Sequence, residues 1–563
     1  MRQIVEEHIN LALARASAAG SLELDHLPQS AVERPRDAAH GDWASTVALK
    51  LARELGRNPR EIAQVIVNHL EQDETFAKVE IAGAGFINLT LSAGALAAML
   101  REAYLQDGNY ARASLGAGRT INVEFISANP TGPMHVGHGR WAALGNALCN
   151  VLEHAGWLVC REFYINDAGN QMDLFAESVA ARYLQEFGVD AAIPDDGYHG
   201  LYLRDIAQQL VEEYGDSFLE LAAPERNSQI RELAYQQMLA TQQQTCALLG
   251  VYFDEWFSER RLYEANPATG QTAIEVMLAK LQAEGYLFEQ DGATWFKSTA
   301  FADDKDRVLI KSDGTYTYFA PDIAYHLEKF SRGSEYLIDI WGADHHGYVP
   351  RMQAAVAAMG QAGKLTVVLG QLVNLFRAGQ PVRMSKRTGE MVTFEELVDE
   401  VGADATKYLM LSRSADQPID FDIEVAKKQD ASNPVYYVQY AHARICSVLR
   451  KATEVGIITG IESLAGLDDA TLMLLVEDAE KDLIRFIGQL GELVEQCARD
   501  LAPFKLTHYA EELAARFHRF YTDCVIIGED RDLSLARLYL SETTRRVLAL
   551  VLGLLGVSAP EKM

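Results

Sequence analysis

Residues 129–140 read Asn-Pro-Thr-Gly-Pro-Met-His-Val-Gly-His-Gly-Arg (NPTGPMHVGHGR) and contain two prolines, three glycines and two histidines. Before them, residues 120–127 (TINVEFIS) form an apolar run that predicts a buried strand. After them, residues 141–157 (WAALGNALCNVLEHAGW) repeat apolar residues at helical spacing. A strand, a glycine-rich loop and a helix in this order are typical of a unit of a parallel α/β sheet. The sequence therefore predicts a parallel α/β sheet around residues 129–140.

The histidines His135 and His138 are expected at the start of the helix, where backbone N–H groups without helical partners attract phosphate. Gly137 between them has no side chain, so a flat base or a ribose can lie against the backbone. Because the histidines are three residues apart, both can donate to the anionic oxygens of one ligand. The alternative is a glycine-rich turn with two surface histidines.

The whole chain has 563 residues, 48% of them hydrophobic and 23% charged, which predicts several domains with sizeable cores. Its start is amphipathic and acidic, unlike a signal peptide, and no run of about 18 apolar residues predicts a membrane span. The six cysteines form no CxxC pair, which argues against a zinc site or a disulfide framework. We therefore expect a cytoplasmic protein.

The formal net charge of -28 repels polyanions at long range. Any nucleic-acid partner would therefore have to be bound by local basic patches.

The periodicity predicts three regions. Residues 1–112 combine helices with one alternating strand over 77–91. Residues 113–402 alternate strands and helices, with a polar helical insertion at about 173–300, and residues 403–563 are almost entirely helical. The strands of the middle region are expected at 157–167 (WLVCREFYIND), 294–298 (TWFKS), 307–314 (RVLIKSDG), 316–319 (YTYF), 335–342 (EYLIDIWG) and 365–370 (LTVVLG).

A second candidate segment, residues 382–389 (VRMSKRTG), follows the last of these strands. Its three cations, with a serine, a threonine and a glycine, suit a loop that closes over a triphosphate. The ammonium of Lys386 could stabilise charge that develops on departing pyrophosphate. The alternative is a solvated basic loop.

Together, HVGH and MSKR resemble the HIGH and KMSKS signatures of class I aminoacyl-tRNA synthetases, in the family's order. The residues also indicate which amino-acid side chain such an enzyme would bind. A planar guanidinium needs carboxylates or carbonyls around its donors, and Glu124, Asn129, Tyr318 and Asp322 would suit it. The alternative is that Glu124 is an exposed strand residue and Asp322 a helix N-cap.

Several further segments resemble the arginyl-tRNA synthetase family over nearly the whole chain: SANPTGPMHVGHGR, YINDAGNQM, SDGTYTY with Asp322, NPVYYVQYAHAR and the ending LGVSAPEKM. The resemblance implies a Rossmann-like parallel-sheet catalytic domain with the helical insertion, an α+β N-terminal domain and an all-α C-terminal helical bundle. It also assigns residues. Arginine would be held by Glu124, Asn129, His135, Tyr318 and Asp322, and ATP by His135, Gly137, His138, Gly342, Asp344, Met384, Ser385 and Lys386, with His135, His138 and Lys386 as the catalytic groups.

The flanking regions resemble the family's tRNA-binding parts. Residues 1–112 carry HGDWASTVALKLA, GRNPREIA and GAGFIN, which are similar to the N-terminal module that contacts tRNA. In the C-terminal region, aromatic and basic residues interleave, so bases could stack while polar groups contact edges or phosphates. The candidate tRNA contacts are Tyr437, Gln439, Arg444 and Met563. The alternative is a stripe of tyrosines in a helix core, which we favour equally for Tyr440.

Three positions depart from the family pattern. Arg383 stands where the first lysine of KMSKS is usual, and it keeps the charge without the compact ammonium. His345 stands where a glutamine is frequent, and Ala84 replaces a proline. The pair His345-His346 has no patterned Cys or acidic ligands around it, so we expect no metal site.

The sequence therefore predicts an enzyme that uses ATP, with Mg²⁺ carried on its phosphates, to activate arginine and transfer it to tRNA(Arg). Nothing in the sequence calls for more than a monomer. The alternatives are a class I synthetase for another amino acid, a non-catalytic tRNA-binding relative, and a nucleotidyltransferase that acts on a small metabolite.

Overall fold

The computed structural model describes residues 1–28, 32–35, 37–70, 74–382 and 392–563. The N-terminal part is an antiparallel sheet in the order β1-β2-β4-β3 with helices beside it. Its elements are α1 (Arg2–Ala18), β1 (Val32–Glu33), β2 (Trp43–Ser45), α2 (Val47–Leu55), α3 (Pro59–His69), β3 (Phe76–Ala82), β4 (Phe86–Leu91) and α4 (Ala93–Gln106).

The single strand expected over residues 77–91 is wrong, because β3 and β4 form a hairpin. Gly83 and Gly85 have φ angles of 55° and 136°, which reverse the chain between Ala82 and Phe86. The alternation of side chains is the same on both arms of a hairpin, so periodicity alone could not locate the turn. The GAG segment was the signal for it.

Five parallel strands in the order β12-β11-β5-β6-β7 form the central sheet. The chain proceeds from β5 to β6 and β7 on one side and later adds β11 and β12 on the other. The order therefore reverses between β5 and β11, and ligands of such sheets bind at this point beyond the strands' carboxyl ends. The strands are β5 (Thr120–Glu124), β6 (Leu158–Ile165), β7 (Glu255–Ser258), β11 (Tyr336–Gly342) and β12 (Leu365–Gly370).

The helical insertion is present, but part of the residues predicted for it belongs to the sheet. Strand β7 lies inside the 173–300 region, and its four residues were too short to predict. The expected strands at 294–298 and 307–314 pair in a separate antiparallel sheet, and residues 316–319 form no strand. The elements are α5 (Val136–His154), α6 (Asn170–Glu186), α7 (Tyr202–Tyr214), α8 (Ala223–Leu248), α9 (Ala273–Ala283), β8 (Leu287–Gln290), β9 (Ala293–Phe296), β10 (Arg307–Ile310), α10 (Phe319–Ser331) and α11 (Val349–Ala358).

The C-terminal region is a helical bundle, with one exception to the all-helix expectation. Strand β15 lies beyond residue 403 and pairs in parallel with β13. The middle region ends with β13 (Val373–Arg377), β14 (Gln380–Pro381) and α12 (Phe394–Val401). The C-terminal elements are α13 (Ala403–Met410), β15 (Ile419–Asp422), α14 (Ile423–Ala426), α15 (Pro434–Glu454), α16 (Asp469–Leu472), α17 (Asp478–Ile487), α18 (Leu490–Asp500), α19 (Lys505–Asp523) and α20 (Arg531–Leu554). The predicted fold class is confirmed.

Strand β5 ends earlier than the apolar run suggested. Ile126 and Ser127 have φ angles of 68° and 45°, in the left-handed region that a β-branched residue rarely adopts. The backbone therefore turns away from the sheet directly after Glu124. This turn places residues 129–140 above the sheet's carboxyl edge.

The last residue of this stretch, Arg140, anchors α5 to the rest of the domain. It is 1% exposed, and its guanidinium donates to the carbonyl oxygens of Gln371, Ser414 and Gln417 at 2.6, 2.9 and 2.7 Å. Burial lowers its pKa to about 10. Neighbouring Gly139 faces the ring of Phe394, which a Cβ would approach to 2.1 Å.

Replacing Arg140 with methionine should destabilise the α/β domain, because three carbonyl oxygens would lose their buried donor. We expect the thermal unfolding midpoint to fall by roughly 5 °C or more, as measured by differential scanning fluorimetry. Arg519→Met, which removes an exposed arginine of α19, is the control and should leave the midpoint in place. An unchanged midpoint in Arg140→Met would contradict the anchoring role.

Candidate active site

The two histidines lock the start of α5. His135 is the N-cap residue, and its Nδ1 accepts from the backbone N–H of Gly137 at 3.1 Å. Nδ1 of His138 accepts from the backbone N–H of His135 at 3.1 Å, and the two rings stack with centroids 3.7 Å apart. Since each Nδ1 is an acceptor, the proton of each neutral ring lies on Nε2, which can donate to an anion. The helix start and both imidazoles thus suit phosphate.

Gly342 and Asp344 lie at the same edge of the sheet. Gly342 ends β11, the neighbour of β5, and Asp344 follows it with an exposed side chain. A Cβ on Gly342 would come within 2.4 Å of Oδ1 of Asp344, so a larger residue there would displace this carboxylate. His345 is exposed beside Asp344, with Nε2 3.6 Å from Oδ2.

Residues Met384, Ser385 and Lys386, with Arg383, lie outside the described residues. The chain just after them contacts the turn that carries His135 and His138, which we call the histidine turn. Thr393 forms an antiparallel bridge with His135, and the N–H of Phe394 donates to the carbonyl of Met134 at 2.9 Å.

Four carboxylates, which we call the acid row, lie in register on adjacent strands. Asp339 of β11 pairs with Glu124 of β5, Glu124 with Glu162 of β6, and Glu162 with Glu255 of β7. Asp339, Glu124 and Glu162 are at most 8% exposed. Such a row repels itself unless cations lie close by.

Helix α10 supplies most of those cations from one face. Nζ of Lys329, which is fully buried, donates to Oε2 of Glu124 at 2.5 Å and to Oδ1 of Asp339 at 2.8 Å. Arg332 donates to both oxygens of Glu162 at 2.8 and 2.9 Å. At the edge, Arg261 pairs with Glu255 at 2.6 Å and completes the compensation.

His326 adds another charge to this face of α10. Its Nδ1 lies 2.7 Å from the carbonyl oxygen of Asp322, and its Nε2 lies 2.8 Å from Oδ2 of Asp339. A carbonyl and a carboxylate both accept, so a ring that donates from both nitrogens fits these two contacts.

The pKa shifts agree with a compensated cluster. Burial opposes the charge of Lys329, but the carboxylates of Asp339, Glu124 and Glu162 outweigh it and raise its pKa. Burial would raise the pKa of Asp339, yet Lys329 and His326 hold it well below its usual range. Glu162 behaves in the same way, since Lys329 and Arg332 outweigh its burial and lower its pKa.

Two further acids border the acid row without such compensation. Oδ2 of Asp322 accepts from the hydroxyl of Tyr348, and Glu259, directly after β7, lies 3.4 Å from the hydroxyl of Tyr263. Burial and Glu124 raise the pKa of Asp322, and burial and Asp322 raise the pKa of Glu259 to about 7. Neither acid has an ion pair within the described part of the chain. Glu259 is buried and Asp322 is partly exposed, and such a pair of acids suits a cationic ligand.

Asp322 and Glu259, with Glu124 beside them, form an acidic pocket, and the structure decides between the two interpretations of Glu124 and Asp322. Glu124 is 8% exposed, so the exposed-strand interpretation is wrong. The N-cap of α10 is Tyr318, so Asp322 is not a helix cap. Tyr318 is 88% exposed beside the pocket. Asn129 is exposed as well, and its Nδ2 donates to Gln171 at 2.8 Å.

The candidate tRNA contacts lie on α15 and at the chain end. Tyr437 is half-buried, and Gln439 is buried with its amide donating to Asp404 and to the carbonyl of Ser558. Met563 is exposed and borders a groove of about 740 Å³ that Gln439 also lines.

Tyr440 is 40% exposed, so the core interpretation is wrong for it. The guanidinium of Arg444 lies over the rings of Tyr440 and Tyr521 at 5.7 and 4.2 Å from their centroids. These three side chains form an aromatic and basic surface next to Tyr437.

The sequence interpretation missed Glu259, Tyr348, His326 and Lys329. Glu259 could be found only after β7 had been recognised, because its position at the sheet edge makes it a site residue. The α10 residues were visible at helical spacing in PDIAYHLEKFSR, where Asp322, His326 and Lys329 share one face.

No group of three or more potential metal ligands lies close together in the described residues. Helices long and apolar enough to cross a bilayer are likewise absent from them.

Because burial raises the pKa of Glu259 to about 7, a guanidinium compound such as L-arginine should bind these two acids about tenfold more tightly at about pH 8 than at about pH 6. The sign follows from the raised pKa: the carboxyl is neutral at the lower pH and becomes an anion at the higher, while the guanidinium stays charged. Isothermal titration calorimetry across this range is the measurement. Glu259→Gln should flatten the dependence and Glu264→Gln, an exposed neighbour, should keep it. A wild-type affinity independent of pH would refute the role of Glu259.

Three family models match the chain. The "Arginyl tRNA synthetase N terminal domain" model matches residues 3–91, the "tRNA synthetases class I (R), catalytic domain" model residues 99–445, and the "DALR anticodon binding domain" model residues 438–563.

Curated relatives match over almost the entire length. The arginine--tRNA ligase of Moorella thermoacetica is 46% identical over 554 residues, which cover 98% of this chain and 97% of the relative. That of Geobacillus kaustophilus is 46% identical over 568 residues, covering 100% and 99%. The solved arginyl-tRNA synthetase of Thermus thermophilus superposes with a TM-score of 0.74 at 23% identity and full coverage of both chains, which supports the fold.

Proposed function

The chain belongs to the arginyl-tRNA synthetase family, and we propose that its histidine turn, its acidic pocket and residues 382–389 divide the reaction among them. The enzyme is an arginine--tRNA ligase, with arginine, ATP and tRNA as substrates. The full-length relatives favour this activity over a class I synthetase for another amino acid or a non-catalytic relative.

In the proposed first step, a carboxylate oxygen of arginine attacks the α-phosphorus of ATP, and the bond to the departing pyrophosphate breaks. His135, Gly137, His138, Gly342 and Asp344 would hold the nucleotide from the two strand ends at the sheet's reversal point. From the segment 382–389, the phosphates would be contacted by Met384, Ser385 and Lys386. Positioning and charge stabilisation are sufficient for such a transfer. Mg²⁺ would arrive on the ATP phosphates, whose oxygens it prefers.

The observation that carries the arginine assignment is the uncompensated pair Asp322 and Glu259. A guanidinium between them would gain charge-assisted hydrogen bonds and would offset one of their two negative charges. Tyr318, Asn129, Glu124 and His135 would complete the contacts, with Glu124 as an acceptor below the pocket. The substrate carboxylate would then lie toward the nucleotide at the start of α5.

In the proposed second step, the arginyl group passes from the adenylate to a hydroxyl at the 3′ end of tRNA(Arg), and AMP leaves. We infer three functional regions at 1–112, 113–402 and 403–563, the outer two binding tRNA. Tyr437, Arg444 and Met563 would contact anticodon-loop bases or phosphates, while Gln439 would hold the C-terminal segment in place. We further propose a monomer that acts in the cytoplasm.

ATP–pyrophosphate exchange with arginine, lysine and citrulline, with and without tRNA, tests the assignment. We expect exchange with arginine alone among these. Asp322→Asn should raise the KM for arginine about 10- to 100-fold, the usual range for a lost charged hydrogen bond, with little change in the KM for ATP. Glu328→Gln, another carboxylate of α10, should leave both constants unchanged. An unaltered arginine KM in Asp322→Asn would remove Asp322 from the pocket.

A further inference from the structure

Lys329 lies in the centre of the acid row rather than in the pocket. Its side chain is fully buried and bridges Glu124 on β5 to Asp339 on β11, the two strands that flank the sheet's reversal point. Two turns earlier on the same helix, Asp322 reaches the pocket. One ammonium therefore fixes the rotation of α10 and the placement of Glu124 together.

We propose that Lys329 is a positioning residue for arginine binding. Lys329 acts through Glu124 by holding that carboxylate and neutralising it, so that Asp322 and Glu259 interact with the positive charge of the substrate. The inference rests on the arginine pocket proposed above. It adds that Glu124 contributes a fixed acceptor whose charge Lys329 already neutralises.

The hydrogen bonds of Glu124 support this division. Lys329 takes Oε2, and the hydroxyl of Ser127 donates to Oε1 at 2.9 Å. The same hydroxyl accepts from the backbone N–H of Tyr164 on β6 at 3.1 Å. The carboxylate is thus held from α10 on one side and from the strained turn after β5 on the other.

The charges support it as well. The acids Asp339, Glu124 and Glu162 are matched by His326, Lys329 and Arg332, so this buried set is neutral. Asp322 and Glu259 lie outside the set, and a bound guanidinium would bring a positive charge next to them. Without Lys329, Glu124 would become another uncompensated acid that competes for the guanidinium and draws it toward the sheet.

A buried lysine between two acids is a weak source of stability, because desolvation offsets much of the attraction. A hydrophobic residue with a neutral partner could replace it at little cost in folding. This makes the positioning role separable from a structural one by mutation.

The test compares Asp339→Asn with the double variant Lys329→Met/Asp339→Asn, which differ only at Lys329. The double variant keeps the buried set neutral but releases Glu124. We expect its arginine KM to be about 10- to 100-fold above that of Asp339→Asn, with the ATP KM and the unfolding midpoint close to those of Asp339→Asn. Lys407→Met, at a buried lysine bonded to the carbonyl of Leu249, is the matched control and should leave the arginine KM unchanged.

An arginine KM equal in the two variants would overturn the proposal, as would a parallel rise in the ATP KM with a lower unfolding midpoint. If the double variant does not fold, Ser127→Ala provides the test. This variant removes the other hydrogen bond to Glu124 and should raise the arginine KM about fivefold. An unchanged arginine KM would overturn the proposal. Asp322→Asn is measured in parallel. If it too leaves the arginine KM unchanged, the pocket itself is wrong; if it alone raises the KM, only the role of Lys329 fails.

Discussion

Repulsion among acids in register on adjacent parallel strands is the constraint on which the rest of the site depends. Asp339, Glu124 and Glu162 lie side by side in the sheet with little access to water. Cations packed on that face of the sheet offset this repulsion, since buried like charges are costly. Helix α10 provides them, and its docking is thereby fixed in position and rotation.

The site follows from this docking. With α10 held over the sheet, Asp322 lies close enough to Glu259, directly after β7, to add to the effect of burial in raising the pKa of that carboxyl. The same edge carries the histidine turn at the start of α5, which Arg140 fastens to the small β13 sheet. A helix start that suits an anion and an acid pair that suits a cation therefore lie in the same part of the domain, as the proposed joining of a nucleotide to a cationic amino acid requires.

The sequence was sufficient for the features that depend on local spacing. The strand, loop and helix around residues 129–140 and the division into an α/β centre and a helical end are confirmed. Pairing between distant segments could not be predicted from the sequence. Strand β7 has only four residues, and the side-chain alternation of β3 and β4 continues through their hairpin turn. Glu259 can be identified as a site residue only once β7 is known to belong to the sheet. The register that aligns four acids across four strands also depends on tertiary packing rather than on any short motif.

The most direct measurement is a crystal structure with L-arginine and a non-hydrolysable ATP analogue. The account predicts guanidinium nitrogens within about 3.2 Å of carboxylate oxygens of Asp322 and Glu259, with Lys329 still bonded to Glu124 and the phosphates at Nε2 of His135 and His138. A guanidinium bound directly to an unpaired Glu124, with Lys329 displaced, would contradict it, as would a side chain bound away from both acids.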